Sequence, residues 1–318
     1  MKRRGKVNFW DKAIADTPLK EVLTTIQANT IKFSGSGKKY ERPNYAFEVD
    51  SNHVRNVLDE RIKYRGLSKP GSLVLIDGKP KSRKSTLAAM LVAAHLHPTR
   101  CYENIKCNIN PHKHVYWFDT EMLHSEFEER FSNVLRWSYQ DNCPNRFHAI
   151  NCAALGNNPE YKINHIINTI REHMDTYSDK YGIIEEEDNI GIIVIDVLSD
   201  LVNDVNKKEE SMDLLGYLIA VAIETGAVIV VVMHQNKRDE SANGILGNDA
   251  AKKVSAHIKT FKKGSYANRD DEDDDDGDSN EPTRVKMQDG RGGEKFKIFY
   301  FNYNEDGDPV VIDHFAGI

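Results

Sequence analysis

The chain has 318 residues, 39% of them hydrophobic, with a formal net charge of −6 and four cysteines. That is enough for one large α/β domain or two small ones able to fold on their own. No apolar run approaches the roughly 20 residues that cross a bilayer, and the basic start MKRRGKVNFWDK lacks the apolar stretch of a signal peptide; a soluble, cytoplasmic protein without a membrane partner is expected.

Residues 1–53 read as a basic N-terminal arm and linker. The first 42 residues hold ten Lys/Arg against four Asp/Glu, a balance that suits contact with nucleic acid or a neighbouring subunit as well as it suits a solvated tail. Within the arm, TPLKEVLTTIQ is modestly amphipathic and FSGSGKKYERPN is polar linker. A single domain is expected over residues 54–318. NHVRNVLDERIKYRG places Val54, Val57, Leu58 and Ile62 at helical spacing, and GSLVLIDG is a short apolar run between glycines, hence a buried strand.

Strand and helix then alternate. STLAAMLVAAHL predicts a helix, HVYWFDTE a strand, HSEFEERFSNVLRWSY a helix, RFHAINC a strand and YKINHIINTIREHMDTYSD a helix. IGIIVIDVLSDL predicts a strand, MDLLGYLIAVAIETG a helix and AVIVVVMHQ a strand. Near-continuous Ile/Val runs joined by helices mean a mostly parallel sheet covered by helices on both faces. The C-terminal extension changes rhythm: KKVSAHIKTFKK, TRVKMQ and KFKIFYFNYN read as antiparallel strands. Between the first two lies RDDEDDDDGDSNE, residues 269–281 with nine acids, read as a solvated, disordered loop, with mimicry of nucleic-acid charge as the alternative. The Cys/His-rich stretch over residues 95–114 matches no familiar zinc spacing and reads as a surface connection; the cysteines form no C-x-x-C pair, as in a reducing compartment.

The chemistry starts at GKPKSRKST: Gly78, Lys79, Pro80, Lys81, Ser82, Arg83, Lys84, Ser85 and Thr86. It is the phosphate-loop pattern G-x-x-x-x-G-K-[ST] with Arg83 in place of the second glycine, lying between a buried strand and a helix as that pattern requires. Such a turn aims backbone N–H groups and the positive end of the helix dipole at phosphates. Lys84 would reach the β- and γ-phosphates of ATP, and the Ser85 hydroxyl would ligate Mg²⁺. Arg83 must avoid positive φ or bear strain. Downstream, IGIIVIDVLSD runs into Asp196 at a strand's carboxyl end, where a carboxylate can hold the Mg²⁺ shell; a capping Asp is the alternative. VYWFDTEM ends with Asp119, Thr120 and Glu121 on a strand expected one strand away from that of the loop.

These motifs, GKPKSRKST, WFDTE, VIDVLSDLVND and VVVMHQNK, in this order, resemble the RecA-type superfamily of P-loop NTPases. Within it the chain looks like the RepA-like hexameric helicases and related AAA-type ATPases of mobile elements, over residues 54–315. The resemblance implies a RecA-like core with ATP and Mg²⁺. It implies Glu121 as general base, Asp196 as the Walker B carboxylate, and His234 with Gln235 as the γ-phosphate sensor. Helix capping by Glu121 and a satisfied strand-end His234 are the alternatives. It also implies a basic finger reaching a neighbour's γ-phosphate, with Lys286 and Arg291 in TRVKMQDGRGGEKF as the residues and Arg284 as a substitute; a charged hairpin is the alternative.

A homo-oligomeric ring such as a hexamer, single-stranded DNA and other replication or mobilisation proteins are the implied partners. The DNA-gripping loops are expected at NDVNKKEES and NKRDESANGILGNDAAKK, with Lys207, Lys208, Lys237 and Arg238 on phosphates and Gly244 and Gly247 giving mobility; neither loop carries a stacking aromatic. The function expected is an ATP-driven motor on DNA. A non-unwinding recombination or regulatory ATPase and a degenerate nucleotide-binding scaffold are the alternatives.

Overall fold

The computed structural model describes residues 45–50, 64–179, 183–236, 242–262, 281–290 and 298–312. The chain divides into two units, Met1–Pro43 and Asn44–Ile318, and the description concerns the second. Most of the arm, Arg291, Lys237, Arg238 and residues 269–280 lie outside the described residues.

The longest apolar runs became the innermost strands. β3 (Leu73–Gly78), β6 (His114–Asp119), β8 (Ile190–Asp196) and β9 (Val228–His234) are buried almost throughout, as strands covered on both faces must be. With β7 (Phe147–Asn151), β10 (Ala256–Lys262), β11 (Thr283–Gly290), β12 (Phe299–Tyr303) and β13 (Pro309–Ile312) they make a nine-stranded sheet ordered β13-β12-β11-β10-β3-β9-β8-β6-β7. All pairings from β10 to β7 are parallel; those among β10, β11, β12 and β13 are antiparallel.

One face carries Val74, Ile76, Val115, Trp117, Val194 and Val232 and packs on helices α1 (Lys84–Leu96) and α2 (His124–Trp137). α1 is an almost wholly buried helix of Ala, Leu and Met, whereas α2 buries only the stripe Phe127, Phe131, Val134 and Trp137. The opposite face meets α3 (Pro159–Tyr177), whose His173 bonds the Tyr116 hydroxyl, and α4 (Lys208–Thr225) and α5 (Gly244–Lys253), which pack on β3.

Local expectations meet the structure as follows. Tyr64–Ser68 is a strand, β2, so the last residues of NHVRNVLDERIKYRG are not helical, whereas Val54, Val57, Leu58 and Ile62, which carried the helical expectation, lie outside the described residues. β2 pairs with β1 (Phe47–Asp50), and a Cβ on Gly66 would meet the Tyr45 ring. β1 itself falls in the stretch read as arm. The Cys/His stretch is no surface connection but a hairpin, β4 (Cys101–Tyr102) and β5 (Ile105–Cys107), in the antiparallel sheet β2-β1-β5-β4. At its centre the Arg100 guanidinium donates to His95, Cys107 and the Ile109 carbonyl, a cation where a metal would have to be. β10 pairs antiparallel with β11 as expected, and it is in addition parallel to β3, so it also extends the parallel sheet by one strand. Residues 244–253 form a helix, not a mobile loop: Gly247 is buried, a Cβ there would meet Ala242 at 2.6 Å, and Leu246 donates to the Val205 carbonyl. Finally, β9 and β8 both intervene between β3 and β6, because the chain crosses over between them, so the Glu121 strand lies three strands from the loop strand.

Candidate active site

β3 delivers the chain to the carboxyl edge of the sheet at Gly78. A Cβ on Gly78 would lie 2.3 Å from Ser82 Oγ and 2.6 Å from the Thr260 carbonyl oxygen, so only glycine lets the turn fold back this tightly. Ser82 Oγ bonds Thr260 Oγ1 at 2.8 Å, tying the loop to β10. Lys81 and Arg83 both have φ of 62°, a left-handed conformation on either side of Ser82, which turns successive N–H groups toward one concavity. Arg83 thus takes the positive φ that its side chain disfavours. Its side chain points to β12, where Nη1 donates to Asn302 Oδ1 at 2.8 Å.

Lys84 opens α1. It is buried, its Nζ donates to the Lys79 carbonyl at 2.9 Å, and burial pushes its pKa down to about 8 against the pull of Asp196, Glu121 and Asp77. The next residue, Ser85, hydrogen-bonds Asp196. Burial pushes the Asp196 carboxyl upward, and Arg130 of α2 opposes that from 3.4 Å. Asp119 is the register partner of Asp196 on β6; burial and the Asp196 charge raise it to about 6.

The tips of β6 and β8 are joined by backbone and hydroxyl. Thr120 N donates to the Asp196 carbonyl at 2.7 Å, and Val197 N donates to Thr120 Oγ1 at 2.7 Å. Asp119 Oδ1 accepts from the N–H groups of Glu121 and Met122 at 3.1 and 2.8 Å, and this turn throws the Glu121 side chain off the strand end. Glu121 Oε1 lies 3.3 Å from His234 Nε2, and that contact, ahead of the opposing burial, holds its carboxyl below the usual range. Gln235 Nε2 points to the buried Asp77 at 3.4 Å, and Asp77 also meets His257 Nε2 at 2.9 Å.

One end of the sheet therefore gathers Lys84, Ser85, Asp196, Glu121 and His234. The remaining residues lie elsewhere. Lys286 is on β11, opposite Lys259. Lys207 precedes α4 and pairs with Glu210 at 2.7 Å, and Lys208 starts that helix. Asp119, Thr120 and Arg130 escaped assignment from sequence. Asp119 carried the same signal as Asp196, an apolar run ending in Asp, whereas Arg130 reaches the site only because α2 packs over the β8 tip.

Buried Asp119 Oδ2, His234 Nδ1 and Gln235 Oε1 have no hydrogen-bond partner among the described residues. Buried polar atoms left open at strand tips fit a site that takes a polar ligand. The raised Asp119 carboxyl has a sign that can be tested. A carboxyl whose folded pKa exceeds its unfolded value contributes stability below the unfolded value and loses it as pH rises through the folded one. Asp119→Asn keeps the Oδ1 acceptor and removes the titration. Relative to this variant, the ligand-free wild type is expected to lose on the order of 2 kcal/mol between pH 4 and 7 and nothing further above that. Urea midpoints across that range check it; parallel profiles would mean that Asp119 is not held protonated.

Comparison with known proteins agrees with this geometry. A model described as an AAA domain matches residues 42–240, more than half of the chain. Among solved structures, the KaiC-like protein from the hyperthermophilic archaeon Pyrococcus horikoshii OT3 is similar at 12% identity and a TM-score of 0.50, covering 78% of this chain and 92% of that one. At that identity the likeness is one of fold. Curated proteins give no significant sequence match. No helix among the described residues is long and apolar enough to cross a membrane. With the match over residues 42–240 and a phosphate-type loop at the carboxyl edge of a mostly parallel sheet, the chain belongs to the AAA domain family as a P-loop ATPase of RecA-like fold.

Proposed function

We propose that this ATPase is a motor acting on DNA, a RepA-like replicative or mobilisation helicase of a plasmid, phage or other mobile element. The observation that carries the reading is the 3.3 Å contact between Glu121 and His234 at the ends of different strands, with the Glu121 charge acting on Lys84. A base in contact with a residue that can feel the γ-phosphate is what a motor needs to couple hydrolysis to movement.

In this reading residues 78–86 bind the ATP phosphates through backbone N–H groups and Lys84. Ser85 and Asp196, close enough for the hydroxyl to help hold the carboxyl down, would hold Mg²⁺. The chemistry that bound Mg²⁺ supplies is neutralisation of charge on the phosphate oxygens. Glu121 accepts the proton of the attacking water, and His234, with Gln235 once turned from Asp77, answers to loss of the γ-phosphate. Lys286 or Arg291, with Arg284 as the substitute, completes the site of a neighbouring subunit in a ring. Lys207, Lys208, Lys237 and Arg238 contact single-stranded DNA. The surface pair of Lys207 with Glu210 is weak enough for a backbone phosphate to replace it.

Phosphate release with and without single-stranded DNA, together with strand separation on a forked duplex, tests this. Stimulated release with ATP-dependent unwinding is expected. Stimulated release without unwinding would favour a recombination or regulatory ATPase, and tight ATP binding without turnover would favour a scaffold.

A further inference from the structure

The residue that breaks the phosphate-loop pattern is also tied to the C-terminal extension. Arg83 stands where the usual loop has glycine, and its φ of 62° and ψ of 34° are the conformation that glycine adopts freely and a residue with a Cβ does not. Its N–H belongs to the run that would face phosphate. Something must therefore hold a disfavoured backbone in place, and β12 offers it. The Arg83 guanidinium carbon lies 4.6 Å over the Tyr303 ring, Nη1 donates to Asn302 Oδ1 at 2.8 Å, and the Tyr303 hydroxyl bonds Thr86 Oγ1 at 2.7 Å. Two adjacent residues of one strand grip both the last residue of the turn and the first turn of α1.

An anchor positions only if it is itself held. β12 is paired on both sides, with β11 and β13. Beyond it, Asp308 meets Arg136 of α2 at 2.5 Å, Pro309 accepts from the Tyr102 hydroxyl at 3.0 Å and Val311 donates to Glu103 at 2.9 Å. The hairpin carrying Tyr303 is thus fixed to α2 and to the small sheet, independently of the loop.

We propose that Asn302 and Tyr303 are positioning residues for the phosphate-binding loop, holding Arg83 in the left-handed conformation that a glycine would otherwise supply. They act through Arg83 and Thr86, not on the nucleotide. The proposal rests on residues 78–86 being the phosphate site, and it makes the loop's readiness for ATP depend on the seating of β12.

The test is the affinity of the full chain for a fluorescent ATP analogue, mant-ATP, in two backgrounds. With Arg83 present, Tyr303→Leu is expected to weaken binding about tenfold and Asn302→Ala about threefold, while Tyr303→Phe, which keeps the ring over the guanidinium, retains most of the affinity. In an Arg83→Gly background, compared with that variant alone, Tyr303→Leu should change affinity by less than about twofold, since glycine needs no anchor. In turnover assays the loss should fall on KM and leave kcat nearly unchanged. Equal losses in both backgrounds, or no loss in either, would overturn the proposal; the first would mean direct contact with nucleotide or general support of the fold. If Tyr303→Leu fails to give a cooperative melt, Asn302→Ala in the two backgrounds makes the same comparison. Absence of mant-ATP binding by the wild type would sink the phosphate-site reading and this proposal together, whereas additive losses in a protein that binds would sink only the anchor.

Discussion

Replacing Lys84 with alanine should lower ATP turnover about a thousandfold or more and weaken ATP binding, while the melting temperature stays close to that of the wild type. The buried ammonium donates to the Lys79 carbonyl at 2.9 Å, and its counter-charges, Asp196, Glu121 and Asp77, act at longer range. A cation so placed is poorly compensated until an anionic ligand arrives, which is why burial holds its pKa down at about 8. Alanine is a good residue for the first turn of a helix and removes a desolvated charge, so the fold has little reason to suffer. The same pKa gives a second readout. A lysine with a depressed pKa loses its charge as pH rises through that value, so wild-type affinity for ATP should fall above about pH 8, and the alanine variant should show no such fall. Binding titrations between pH 7 and 9.5 measure both effects. Undiminished turnover in the variant would remove the loop from the chemistry altogether.

How far the sequence revealed this site depends on whether a feature is local. A buried strand needs only a run of apolar residues, so β3, β6, β8 and β9 were legible, as was the carboxylate ending β8. Spatial order is not local. Nothing in WFDTE says that two strands separate it from the loop strand, or that Asp119 would stand in register with Asp196. Helix α5 was obscured because Gly244, Gly247 and Asn248 are poor helix formers; the helix exists because Gly247 allows close packing on Ala242 and Leu246 is buried, a tertiary gain that propensity cannot anticipate. Arg83 shows the limit most clearly. From the motif alone it is a defect, and Asn302 and Tyr303, which engage it, lie 219 and 220 positions later, on a strand that reads as C-terminal extension.

Glu121→Gln is expected to leave ATP affinity within a few-fold of the wild type while cutting turnover by at least about a hundredfold. The position of residue 121 is set by its backbone N–H on Asp119 Oδ1, not by its charge, so glutamine should occupy the same place and still reach His234. What glutamine cannot do is accept a proton. Three carboxyls compete for that role, and their environments separate them. Contact with His234 keeps Glu121 below the ordinary glutamate range, whereas burial and the Asp196 charge raise Asp119 to about 6, and burial raises Asp196. A base must be ionised to work, so if Glu121 is the base, kcat should stay flat as pH falls through 6 and drop only below the glutamate range. An acidic limb near pH 6 with a still-active Glu121→Gln variant would instead identify Asp119 as the proton acceptor. Asp196 is the weaker competitor, because its side chain already engages Ser85 and Arg130 and so faces the phosphate loop, not an incoming water.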